Sequence, residues 1–324
     1  MALLDIVDLQ VGFDTAAGHI LALNGVSFSL ERGEVLALVG ESGSGKSVTA
    51  AAIMDLISTP PGRISRGSIH FDGSDLLKLP HNTRRDLCGD RIALIFQDAL
   101  AALNPVYPVG WQIAEMFRIH NQRPEGGVDK AVLDLLMAVG IPDPERRSKQ
   151  YPYEFSGGMR QRIMIAMAVA LEPDIIIADE PTTALDVTIQ AQVVDLLDQV
   201  RKRSDAGMIF ITHDLGVVAE LADRVAVMYA GRIVETANVF ELFEDARHPY
   251  SVGLLASQPR MDANNDELVP IPGSAPNPLS LPSGCAFRTR CPRAQSLCAE
   301  IVPPLETVGP GRLAACHFPV MPHD

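Results

Sequence analysis

The chain has 324 residues, 47% of them hydrophobic, which suits one large domain, or one domain with a small appendage, and excludes disorder as a global state. Its 27 basic and 40 acidic residues leave a net charge of −13, which argues against nucleic acid or an anionic lipid surface as the main partner. Any phosphate site must therefore be built locally, from backbone N–H groups and a few cations.

The opening Met1-Ala2-Leu3-Leu4-Asp5 has no basic leader, and the longest apolar run is Ile163–Leu171, far short of the ~20 residues of a membrane span. The expectation is a cytosolic chain that, if it works at a membrane, docks onto other subunits rather than crossing. Leu4–Leu9 and Val26–Leu30 alternate apolar with polar residues and read as strands. Glu34–Val39 reads as a strand covered on both faces, followed by a Gly-rich turn and a helix over Val48–Ile57. From about 100 to 160 the period is helical; then helix and strand alternate through Ile175–Ala178 and Met208–Thr212. That alternation predicts an α/β fold with a largely parallel, doubly covered sheet. Near residue 258 the composition shifts: residues 258–283 hold six prolines and read as an extended linker, with a cysteine-bearing tail behind it. No internal repeat is visible, so one chain carries one cassette.

Gly40-Glu41-Ser42-Gly43-Ser44-Gly45-Lys46-Ser47 fits G-x-x-x-x-G-K-[ST], between an apolar strand and a helix as the motif requires. Glycines let successive N–H groups point at phosphate oxygens, Lys46 neutralises the β and γ phosphates, and the Ser47 hydroxyl can ligate Mg²⁺. Further on, Asp179-Glu180 closes the run Ile175–Ala178, at the usual ligand edge of a parallel sheet. Asp179 is a candidate Mg²⁺ holder and Glu180 a candidate to polarise the attacking water. Alone, such a pair is often a solvated strand end; beside a phosphate loop it reads as functional.

Phe155-Ser156-Gly157-Gly158-Met159-Arg160-Gln161-Arg162 opens a helix, and Ser156, Gly157 and Gly158 there offer a second anion site of hydroxyl and free N–H groups. One chain cannot easily fold both sites around one phosphate, so this one points to a partner's ATP.

On these motifs the chain, over about residues 1–255, resembles the ATP-binding-cassette (ABC) family. Phe155 and Met159 stand where the commonest signature has Leu and Gln, a variant similar to peptide-importer ATPases. The resemblance implies a P-loop ABC nucleotide-binding domain, with a RecA-like core and a helical subdomain, over 1–257 (the subdomain about 99–162), and a Cys-rich extension over 258–324. It further implies that Gln97 is the Q-loop glutamine that senses Mg²⁺, that Thr183-Ala184-Leu185-Asp186 is the D-loop, and that His213 is the switch histidine. Phe13 is either the aromatic that stacks on adenine or a core residue. The family mechanism implies two cassettes closing head to tail on two ATP molecules, with a paralogue favoured over a copy as the second ATPase. The remaining implied partners are two membrane-spanning permease subunits and an extracytoplasmic substrate-binding protein, which places this chain peripherally on the cytoplasmic face of the inner membrane. Di- or oligopeptide cargo rests on the resemblance alone; nickel chelates, glutathione or sugars are the alternatives.

Cys285, Cys291, Cys298 and Cys316 are separated by five, six and seventeen residues, which matches neither ordinary zinc knuckles nor bacterial ferredoxins. Four soft ligands in a segment with little core still suggest a metal staple. The arrangement, with His248-Pro249-Tyr250 and Pro272-Gly273 ahead of it, resembles the C-terminal extension of peptide-importer ATPases and implies a [4Fe–4S] cluster. Zn²⁺, with His317 able to replace a thiolate, and packed thiols are the alternatives. Cys88 stands alone and reads as a packed thiol. A non-transport ABC ATPase acting on nucleic acid is the remote rival: residues 285–324 carry four Arg, no Lys and three acids, a poor nucleic-acid surface.

Overall fold

The structure, a computed structural model, describes residues 2–183, 186–257 and 270–321, with the Val187 side chain left aside. In chain order the first elements are β1 (Leu4–Thr15), β2 (Gly18–Leu30), β3 (Val35–Val39), α1 (Lys46–Ile53), β4 (Gly62–Phe71) and β5 (Ser74–Asp75). Then come α2 (His81–Leu87), β6 (Ile92–Ile95), α3 (Ala99–Ala102), α4 (Val109–Ile119), α5 (Val128–Ala138), α6 (Pro144–Arg147) and α7 (Gly157–Ala168). Next are β7 (Ile175–Asp179), α8 (Val187–Ser204), β8 (Gly207–Thr212), α9 (Leu215–Leu221), β9 (Arg224–Tyr229) and β10 (Arg232–Asn238). The last are α10 (Val239–Asp245), α11 (Pro249–Ala256), α12 (Leu297–Glu300), β11 (Glu306–Gly309) and β12 (Arg312–Ala314). These form two compact units, Met1–Leu30 with Val35–Leu77 and Thr212–Asp324, and Glu31–Glu34 with Lys78–Ile211.

The first unit holds an antiparallel sheet in the order β2-β1-β4-β5. Leu4, Ile6, Leu9 and Val11 of β1 are fully buried, and the odd step between Ile6 and Leu9 is a register shift at Asp8. The same unit holds the strand row β11-β12-β10-β9-β3. Here β3 runs parallel to β9, and every residue of β3 is buried, as its unbroken apolar sequence requires. Asp223 sets the start of β3 by accepting the Val35 N–H at 2.8 Å. The C-terminal segment joins this row: β12 pairs with β10, Glu235 opposite Ala314. Phe287 is buried against Tyr229 and Tyr250, so the tail has an apolar anchor that its sequence did not lead one to expect.

In the second unit β8, β7 and β6 pair in parallel, Ile92 opposite Ile175 and Ile175 opposite Gly207. Its helices α3 to α7 fill the stretch whose periodicity is helical. Differences from the sequence reading lie at boundaries and in the strands with mixed patterns. The helix expected at 48–57 runs instead from Lys46 to Ile53, and Asp55 beyond it has a positive φ of 59° that α-helix cannot continue through. β4, whose residues alternate with two arginines among them, and the short pair β11–β12 went unforeseen.

Candidate functional site: a phosphate loop and a carboxylate strand end

The phosphate loop joins β3 to α1. Gly40 has φ +151°, and a Cβ there would stand 2.2 Å from the Met228 carbonyl oxygen, closer than any side chain allows. The loop closes on Lys46, which is 5% exposed and donates from Nζ to the carbonyl oxygens of Gly40 (2.8 Å) and Glu41 (3.1 Å). Gly45 caps α1 in the left-handed conformation, its carbonyl accepting the buried Thr49 hydroxyl at 3.0 Å. The Ser44 carbonyl accepts the Gly231 N–H, while the buried Ser44 hydroxyl has no hydrogen-bond partner. Ser42, Gly43 and Ser47 face outward. The loop is thus fixed on its inner side by backbone and Lys46 contacts, and presents exposed residues and one unsatisfied hydroxyl for an anion. Gly40→Ala is expected to displace this loop, lowering nucleotide affinity about tenfold or more and stability by about 2 kcal/mol. Binding titrations beside thermal melts check it, and unchanged values in both would contradict it.

Three contacts around Glu41 were not anticipated. Its N–H donates to the Tyr250 hydroxyl at 2.9 Å, and its two carboxylate oxygens accept from Arg290 Nη1 (2.7 Å) and Nη2 (2.9 Å). Burial raises the Tyr250 pKa, so the phenol keeps its proton. Nothing local in the sequence signals a partner 249 positions away. Phe13, half-buried in β1, sits opposite Ile20 and Gly62. His213 follows β8 and is exposed, just ahead of Asp214, which caps α9.

In the second unit β7 delivers Asp179 and Glu180, both half-exposed, at its carboxyl end. Glu180 holds a left-handed φ of +47°, fixed by its N–H donating to the Ile211 carbonyl at 2.9 Å. That conformation costs about 1 kcal/mol or more for a non-glycine residue and is retained where geometry matters. Glu180 Oε2 accepts from Gln97 Nε2 at 3.0 Å and from the Thr183 hydroxyl at 2.9 Å. Gln97, just past β6, and Glu180 are thereby brought together, and Thr183 is an addition that sequence reasoning had only as part of a longer motif. Ala184 and Leu185 lie outside the described residues. Asp186 caps α8, accepting the Ile189 N–H at 3.0 Å. Ser156 caps α7, accepting the Met159 N–H, and Ser156 and Gly157 are exposed, so the first turn of this twelve-residue helix is open to an anion.

Cys285, Cys291, Cys298 and Cys316 line one small cavity together with His317, Arg288 and Arg293. No two cysteines of the chain form a disulfide. Burial pushes the thiols of Cys285 and Cys291 up and that of Cys316 to about 11, so without a compensating cation they stay protonated. The cavity wall depends on Gly284, at φ +64°, where a Cβ would meet the Cys298 carbonyl oxygen at 2.3 Å, and on the Cys285 N–H donating to that same oxygen. Among the described residues no group of three or more His, Cys, Asp or Glu side chains is placed to hold a metal ion. The neighbouring His248 is fully buried, and burial lowers its pKa to about 3, so it is neutral and serves as the cap of α11. Cys88 is half-buried at the end of α2.

Comparison with known proteins accords with these features. The ABC transporter family matches residues 23–183, and the family described as the oligopeptide/dipeptide transporter C-terminal region matches residues 234–298. The oligopeptide transport ATP-binding protein OppD of Bacillus subtilis is 52% identical over 304 residues, 94% of this chain and 85% of that protein. The Escherichia coli OppD is 48% identical over 98% of this chain and 94% of its own length, and the dipeptide transport ATP-binding protein DppD of Bacillus subtilis 50% over 93% and 90%. Among solved structures, the ATP-binding cassette MJ0796 in a dimeric post-hydrolysis state with ADP and Pi superposes with a TM-score of 0.65 over 73% of this chain and 98% of its own, at 24% identity, a likeness of fold. The CbiO1 protein of Clostridium perfringens, part of the cbiONQ ABC transporter complex, superposes at a TM-score of 0.63 with 27% identity, over 75% of this chain and 91% of its own. The chain belongs to the family of ATP-binding subunits of oligopeptide and dipeptide ABC transporters.

Proposed function

We propose that the chain hydrolyses ATP to power import of di- and oligopeptides through an ABC transporter. The observation that carries this reading is the phosphate loop closed on a buried Lys46, with its outer face left for an anion. ATP is the substrate and Mg²⁺ its companion. Gly40, Ser42, Gly43, Ser44 and Gly45 supply the cradle, Lys46 neutralises the phosphates, and Ser47, Gln97 and Asp179 are the groups suited to Mg²⁺. Held there, Mg²⁺ would supply positive charge to offset that of the phosphates. Glu180 orients and deprotonates the attacking water, held in place by Gln97 and Thr183, and His213 contacts the terminal phosphate. Phe13, opposite Ile20 and Gly62 near the end of β1, is our candidate to stack on adenine, with a core role as the alternative. Ser156, Gly157, Gly158 and Asp186 serve the ATP of a second cassette, a paralogue rather than a copy.

Among the described residues no helix is long and apolar enough to cross a membrane. The cargo pathway thus falls to two permease subunits and an extracytoplasmic binding protein, with this chain seated at the cytoplasmic face of the inner membrane. Reconstitution of this chain with those partners in vesicles tests the reading. ATP-dependent uptake of a tripeptide is expected; uptake of nickel chelate or glutathione in its place would overturn the cargo assignment alone.

For the extension, the convergence of four thiols on one cavity supports a four-thiolate site, and its two arginines would offset the thiolate charge. We assign a [4Fe–4S] cluster to Cys285, Cys291, Cys298 and Cys316, with zinc as the competing occupant. Each of the four thiolates would serve as one ligand of the cluster. When bound, such a cluster would supply a covalent staple and a one-electron centre. Anaerobic purification followed by iron, sulfide and zinc analysis is expected to give about four irons and four sulfides per chain, lost in Cys298→Ser. Stoichiometric zinc would replace the cluster with an inert staple.

A further inference from the structure

Glu41 places a carboxylate inside a loop built to receive polyphosphate. Left bare, it would repel the nucleotide and tend to swing the loop outward. It is not left bare. Arg290 grips both of its oxygens in a two-pronged pair, and the Arg290 side chain is only 5% exposed. The guanidinium is itself immobilised: Nε donates to the Pro272 carbonyl at 2.9 Å, and Nη1 reaches the Tyr229 hydroxyl at 3.4 Å. Its backbone N–H donates to the Phe287 carbonyl at 2.9 Å, and Phe287 is buried among Tyr229, Tyr250 and His248. The residue after Arg290 is Cys291, one wall of the cysteine cavity. A second contact of the same segment lies alongside: a cavity of about 250 Å³ beside Glu41–Ser44 is walled by Ala275, Pro276, Pro278 and Leu281. The phosphate loop therefore meets the C-terminal segment through one rigid, charge-matched side chain adjoining the cysteine site.

We propose that Arg290 is a positioning residue for the phosphate loop, which masks the Glu41 carboxylate and thereby makes nucleotide affinity depend on the state of the four-cysteine site. The inference rests on residues 40–47 being the ATP site. A cysteine loop held together keeps Arg290 on Glu41; a cysteine loop that has lost its staple releases the guanidinium, and the bare carboxylate opposes the phosphates. The link is indirect, since Arg290 need not touch ATP.

A purely structural ion pair would make a different prediction, because removing Arg290 would then harm the loop whatever stands at position 41. The test is a titration of Mg-ATP, by equilibrium dialysis with thermal melts alongside, on full-length wild type, Arg290→Gln, Glu41→Gln, the double variant and Cys291→Ser. Arg290→Gln is expected to weaken Mg-ATP binding about tenfold, and Arg290→Lys, which keeps charge but not the fork, by an intermediate factor. Glu41→Gln combined with Arg290→Gln should return affinity to within about threefold of wild type, since no bare carboxylate remains. Cys291→Ser should weaken binding in the Glu41 background and have little effect beside Glu41→Gln. Wild-type affinity in Arg290→Gln, a double variant as weak as Arg290→Gln, or Cys291→Ser at full affinity would each overturn the proposal. Failure of wild type itself to bind Mg-ATP would instead remove the ATPase reading beneath it.

Discussion

Glu180→Gln is expected to keep Mg-ATP affinity within a few fold of wild type while lowering hydrolysis by about two orders of magnitude or more. The side chain is delivered by β7, and its left-handed backbone is held by the Ile211 carbonyl, so an isosteric amide changes chemistry and not position. What changes is the ability to take a proton and to accept on both oxygens. Gln97 Nε2 and the Thr183 hydroxyl both donate to Glu180 Oε2; an amide can preserve one such acceptor only by turning its own NH₂ away from them, toward where the water must sit. The binding contacts we propose lie on the loop around Lys46, so affinity is expected to survive. With hydrolysis blocked, the ATP-bound closed pair of this chain and its partner ATPase should accumulate, visible as an ATP-dependent shift to the paired form in size-exclusion chromatography of the mixed subunits. Near-normal turnover would remove Glu180 from the role of base.

The contrast between β3 or β7 and the C-terminal segment shows what a sequence can disclose here. Val35–Val39 and Ile175–Ala178 are buried on both faces, so their apolar runs are visible in one dimension and their carboxyl ends locate the chemistry. The phosphate loop is equally legible, because Gly40 has no room for a Cβ. Gln97, Asp186 and His213, by contrast, are ordinary residues at strand or helix ends, which only their order among the other motifs singles out. The pairing of β12 with β10 rests on contacts some eighty positions apart, and β12 has only three residues, too few for any periodicity. The same holds for Arg290 and Glu41: each is unremarkable locally, and their pairing becomes visible only once Phe287, Tyr229 and Tyr250 bring the tail against the loop.

Lys46→Met should weaken Mg-ATP and Mg-ADP binding by about a hundredfold while leaving adenosine binding little changed. An ammonium about 4 Å from a phosphate charge, at the effective dielectric of a protein surface, gains about 4 kcal/mol, and part of that offsets desolvation of the ammonium. A net of about 2.7 kcal/mol corresponds to a hundredfold in affinity. Lys46 is 95% sheltered from solvent, and its Nζ bonds to the Gly40 and Glu41 carbonyls hold the loop in its receiving shape. Methionine keeps the unbranched apolar stem, one atom shorter, but leaves those carbonyls without the Nζ donor, so affinity falls through two routes, lost charge and a loosened loop. The two separate with ligand charge: the charge contribution should grow from AMP to ADP to ATP, whereas loop loosening would weaken all three alike. Comparable affinity of wild type and variant for Mg-ATP would mean that this loop does not hold the phosphates. An equal loss for adenosine would mean that Lys46 shapes the whole pocket instead of neutralising its anion.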